Sequence, residues 1–180
     1  MGPNRWLSLL LVVTTRLSAQ SGSPMVELEI RADSTPLETA AEEYRPIWAR
    51  DGGRIVTTME RVSGLRFRET NVPVRIVSGP SSSGYRAKPM RLRGSYPEPT
   101  KRATLIHELG HRLRNDLFTR EEDDHPALFL WLYDVWTALY GPEFARQQVE
   151  VESARTGGRH DYLGMWAAAM AMDSSGRATA

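Results

Sequence analysis

Cysteine is absent from this sequence. Disulfides, thiolate metal sites, iron–sulfur clusters and a cysteine nucleophile are therefore excluded, and any metal must be held by His, Asp or Glu. No apolar run approaches the roughly 20 residues needed to cross a bilayer as a helix. Charge excess is missing too: 23 Lys/Arg against 22 Asp/Glu leave a net charge of +1. That excludes a uniformly basic nucleic-acid binder. No internal repeat and no linker-like segment divides the sequence. Histidine is scarce, with 4 in 180 residues, so their positions carry information. What is present is an ordinary globular composition, 41% hydrophobic and 25% charged, at a length sufficient for one domain with a core.

The N-terminus has the order of a signal peptide: Arg5, then the apolar stretch Trp6–Val13, then Leu17-Ser18-Ala19 before Gln20. Residues 1–19 are therefore expected to be a signal peptide on an exported protein. The alternatives are a buried first strand, or a cytoplasmic protein starting at Met25. Residues 20–173 are expected to form a single domain, and residues 174–180 a disordered tail.

Within the domain, Val26–Arg31 and Val72–Val77 alternate apolar with polar residues, as half-buried strands do. Lys88–Tyr96 reads as a third strand. A helix is expected from Pro36 to about Asp51-Gly52-Gly53, and a second from Arg54 to Val62. After Thr100 the pattern turns helical: Thr100–Leu113, Ala127–Tyr140, Phe144–Glu152 and Tyr162–Met172. In the third of these, Phe144, Gln148 and Val151 share one side. The order predicts an α+β domain, with a small mixed sheet packed on a helical half.

The chemistry is concentrated in Thr104-Leu-Ile-His-Glu-Leu-Gly-His-Arg-Leu113. His107 and His111 are four apart, one helical turn on and about 40° from eclipsed, so both imidazoles can reach one metal ion from the same face. Glu108 flanks that face, within reach of water at the metal. Ile106, Leu109 and Leu113 form an apolar stripe beside the pair, and Gly110 permits a close approach by another backbone. Half of the four histidines thus fall at ligand spacing on one amphipathic helix.

This segment resembles the zincin metallopeptidases, whose active-site helix carries His-Glu-x-x-His; the resemblance covers roughly residues 72–140. It implies zinc as the cofactor, His107 and His111 as ligands, Glu108 as general base, and hydrolysis of a peptide or protein substrate by metal-activated water. It also implies that the strand before the helix, Arg91–Ser95, lines the cleft and pairs with an extended substrate. The metzincin pattern would place Gly at 114 and His at 117, where this sequence has Arg114 and Leu117. The Glu-x-x-x-Asp of gluzincins does not occur after His111. His125, fourteen residues after His111, is similar to the third ligand of SprT-like zincins and is the expected third metal ligand.

Asp134 competes with His125. It lies in an apolar helix, where a buried carboxylate needs a partner: the metal, the free ring nitrogen of a ligating histidine, or an arginine. Glu121–Asp124 reads as a solvated acidic connection, and His160 as a loop residue with a lesser claim to holding substrate. Tyr133, Tyr140 and Tyr162 are candidates for steadying an oxyanion. Segment 61–102 holds ten Lys/Arg against Glu69 and Glu98, a local +8. It suits a basic cleft preferring acidic peptides, or a solvated surface paired with acidic flanks, better than a nucleic-acid face, because no aromatic stacking pattern accompanies the charge. The alternative functions are a non-catalytic metal-binding or interaction domain, and a SprT-like nucleic-acid-associated protease.

Overall fold

The computed structural model describes residues 26–84, 88–114, 124–156 and 160–179. The expected signal peptide, residues 1–19, lies outside them, as do Glu121, Glu122 and Asp123. Three strands form one sheet in the order β1-β2-β3: β1 Glu27–Ala32, β2 Asn71–Val77 and β3 Met90–Arg93. The helices are α1 Glu38–Ser63, α2 Glu98–Leu113, α3 His125–Tyr140, α4 Pro142–Ser153, α5 Tyr162–Met170 and α6 Ser174–Thr179. The α+β class read from the sequence holds.

Both strand pairs are parallel, with Ile30 opposite Val74 and Ile76 opposite Leu92. The sheet is thus parallel rather than mixed among the described residues, and antiparallel pairing is confined to the single bridge Ser82–Arg91. The connections explain this. β1 reaches β2 through the whole of α1, and β2 reaches β3 through residues 78–89; each is long enough for a parallel crossover. Pro73 is tolerated in the central strand because β3 pairs only from Val74 onward.

One helix, α1, replaces the two expected between 36 and 62. Pro46 lies within it, and Asp51-Gly52-Gly53 does not end it. Two contacts outweigh the propensity of these residues to break a helix. The Asp51 carboxylate is buried and receives Arg102 Nη1 from α2 at 2.6 Å. Gly52 lets the ring of Trp48 lie against the backbone, where a Cβ would come within 2.8 Å of it.

The core joins sheet and helices: Val74, Ile76 and Leu92 from the strands, Ile47, Ile55 and Met59 from α1, and Leu105, Ile106 and Leu109 from α2. The α3 helix supplies Leu128, Phe129, Leu132 and Trp136. It packs against α1, α2, α4, α5 and α6, which explains its nearly all-apolar sequence. At the α2–α3 crossing Gly110 admits Leu128 and Trp131; a Cβ there would meet Leu128 Cδ1 at 2.6 Å. Two side chains thus fill the space at this glycine, in place of the backbone approach expected there.

Residues 174–179 are a helix rather than a disordered tail. Arg177 gives the segment its reason to order: its Nη2 and Nε reach the two carboxylate oxygens of Asp134 at 2.7 and 3.1 Å. Among the described residues no helix is long and apolar enough to cross a membrane.

Candidate metal centre

The α2 helix carries His107, Glu108 and His111, and α3 begins at His125. One ligand atom from each of the three histidines lies within 4.8 Å of the others, close enough to hold a metal ion. His107 and His125 are buried and His111 is partly so. His107 Nε2 and His111 Nε2 face each other at 3.1 Å. For metal–nitrogen bonds of about 2.0–2.1 Å, that is near the edge of a tetrahedron.

The other ring nitrogens are both occupied by acids. His107 Nδ1 lies 2.8 Å from Glu152 Oε1, and His111 Nδ1 lies 2.9 Å from Asp124 Oδ2. Burial alone would raise the pKa of Glu152, but His107, first by charge and then by hydrogen bond, outweighs it and holds the carboxyl below its usual range. Burial likewise opposes ionisation of Asp124, and the hydrogen bond and charge of His111 overcome it. An ionised carboxylate only accepts, so each Nδ1 carries the proton and donates. Each Nε2 is thereby the ring nitrogen turned toward the other histidine. Burial lowers the pKa of His111, but the Asp124 hydrogen bond and the charges of Glu108 and Asp124 outweigh that and hold it above its usual value. A metal ion bound between them would displace any proton there, and the donor set fits a borderline metal such as zinc.

Glu152 is itself fixed from two sides. Trp166 Nε1 donates to its Oε2 at 3.2 Å, and the Trp166 ring stacks on Phe129 at 4.0 Å between centroids. Phe129 in turn stands edge-on to His107 and His125. This apolar wall limits how the imidazoles can turn. Burial raises the pKa of Glu108, against the charges of His107, His111 and Arg155. A carboxylate with raised proton affinity is suited to general-base work.

His160 stands with its ring 4.6 Å from that of His125, so all four histidines gather at one place. Tyr162 places its hydroxyl 3.1 Å from His125 Nε2. Burial pushes the Tyr162 hydroxyl up to about 12, so it keeps its proton at neutral pH. The other two tyrosine candidates are elsewhere: Tyr140 donates to Asp51 Oδ2 at 3.3 Å, and Tyr133 lies under Arg177.

Comparison with family models, with curated proteins and with solved structures gives no match to this protein. The site's chemistry therefore rests on its own geometry.

Three expectations need correction. Asp134 is neither ligand nor partner of a ligating histidine, because Arg177 holds both its oxygens. Asp124 is no solvated linker residue but the carboxylate on His111. The outer edge at Arg91–Arg93 is already hydrogen-bonded within the protein. Arg91 exchanges backbone hydrogen bonds with Ser82, Arg93 N donates to Ser81 Oγ, and Tyr44 donates to Arg93 O. Arg112 holds this cover down through the carbonyls of Ser83 and Gly84, both at 2.7 Å.

Sequence reasoning missed Glu152 altogether. The buried stripe of α4 is Ala145, Gln148 and Glu152, while Val151 is exposed. A stripe at i, i+3 and i+7 with two polar members is the signal that could have found it. The basic segment is partly neutralised in the fold: Arg66 pairs with Glu60, Lys101 with Glu43, and Arg102 with Asp51 and Glu98.

Proposed function

We propose that this protein is a zinc-dependent metallopeptidase of zincin type, with His107, His111 and His125 as metal ligands and Glu108 as general base. The observation that carries this reading is the gathering of ring nitrogens of His107, His111 and His125 within 4.8 Å of one another, with the buried Glu108 between the first two in sequence. Bound zinc would supply Lewis acidity toward a carbonyl oxygen and bring the ionisation of water close to neutrality. Glu108 takes the proton from the attacking water and passes it to the leaving amine. Glu152 and Asp124 keep the imidazoles of His107 and His111 in the ligating tautomer. Tyr162, protonated and next to His125, is the tyrosine placed to donate to a developing oxyanion.

A metal-binding domain without turnover is the competing reading. The buried Glu108 favours the enzyme, since a purely structural zinc site has no use for a base beside it. The experiment is hydrolysis of a mixed peptide library by the zinc-loaded protein and by Glu108→Gln. The enzyme reading predicts cleavage that falls by about 10²-fold or more in the variant, with zinc retained. Bound zinc with no cleavage of any peptide would favour the metal-binding domain.

A further inference from the structure

Arg155 lies just beyond α4, three residues after Glu152, and its side chain is 24% exposed. Glu108 acts on it by charge, and the carboxylate in contact is Glu152, which Nη2 reaches at the long distance of 3.4 Å. That carboxylate is already engaged by His107 at 2.8 Å and by Trp166 at 3.2 Å. Arg155 also hydrogen-bonds to Tyr162. A guanidinium offers five donors in a planar fork, so these two contacts leave donors for something else. The neighbouring cations of the active-site helix are bound more fully. Arg112 is held by both oxygens of Glu69 at 2.7 and 2.9 Å, and Arg114 donates to Asp124 O at 2.6 Å.

The position of Arg155 narrows what it could meet. Its guanidinium lies 5.8 Å from the centre of the Tyr162 ring, and the Tyr162 hydroxyl touches His125. Glu152 contacts His107 through Nδ1, the edge away from the Nε2 that faces His111. Arg155 therefore stands against two groups that touch ligating histidines, Glu152 and Tyr162, and acts by charge on Glu108. A guanidinium partly shielded from water suits a carboxylate.

We propose that Arg155 is a specificity-determining residue that selects substrates with a carboxylate next to the bond to be cleaved. The carboxylate can come from the C-terminus of a peptide or from an Asp or Glu side chain. The proposal rests on the metallopeptidase reading and deepens it.

The test uses the full-length protein with Glu108→Gln, loaded with zinc, so that binding is read without turnover. Four versions of one short peptide are titrated calorimetrically: C-terminal carboxylate or amide, each with Glu or Gln as the last residue but one. At least one carboxylate form is expected to bind about tenfold tighter than its neutral counterpart, and which one identifies the source. Adding Arg155→Gln is expected to remove the preference, and Arg155→Lys to keep part of it, at matched zinc content. Equal binding of all four peptides, or a preference that survives Arg155→Gln, overturns the proposal. A protein that holds no zinc defeats the metallopeptidase reading instead; loss of carboxylate preference in Arg155→Gln on that protein still reads Arg155 separately.

Discussion

Glu152 and Asp124 decide what the two histidines of the motif can do. Each accepts a hydrogen bond from the Nδ1–H of one imidazole and so turns its Nε2 toward the other. Removing such a carboxylate from behind a ligand typically weakens metal binding by about 10–100-fold. Glu152→Ala is expected to fall in that range in a chelator competition, with the fold retained; unchanged affinity would mean that Glu152 does not tune the site. The motif was legible because its residues are local: helical spacing alone puts His107 and His111 on one face. Glu152 was not legible, because 45 residues separate it from His107 and only tertiary packing brings them together. His125 stood between these cases, named by resemblance and placed by the start of α3.

At the level of elements, tertiary contacts overrode local propensity in two places. The α1 helix runs through Gly52 and Gly53 because Asp51 is anchored to α2, and α6 orders because Arg177 finds Asp134. Neither partner is close in sequence, so composition alone read a break in the first case and a disordered tail in the second. The Asp134–Arg177 pair is bidentate, with Arg177 largely buried. Asp134→Ala and Arg177→Ala are each expected to cost about 1–3 kcal/mol in chemical denaturation. Their double mutant should cost clearly less than the sum, as groups in direct contact do. Zinc content should be untouched in all three variants, and loss of zinc on Asp134→Ala would return that residue to the metal site.

For the whole molecule, Asp51 ties three helices together. It sits on α1 and gathers Arg102 from α2, Tyr140 from the end of α3, and Arg50 and Arg54 from its own helix. Burial pushes its pKa up, but Arg50 and Arg102, with the Tyr140 hydrogen bond and Arg54, outweigh that and hold it below the ordinary carboxylate range. A carboxyl whose folded pKa is depressed stabilises the fold above its unfolded pKa, about 3.9, and loses that contribution as pH falls toward the folded value. The stability gap between the native protein and Asp51→Asn should therefore be widest at neutral pH and shrink below about pH 4. A gap that stays constant through that range would deny Asp51 its ionised role.

The whole account turns on a cation bound by three histidines. The zinc-to-protein ratio, measured by elemental analysis on the purified full-length protein and on His125→Ala, tests it most directly. The account predicts close to one zinc per native molecule, lost in the variant while circular dichroism still reports a folded protein. A folded native protein with no zinc after loading, or full zinc in His125→Ala, would contradict it.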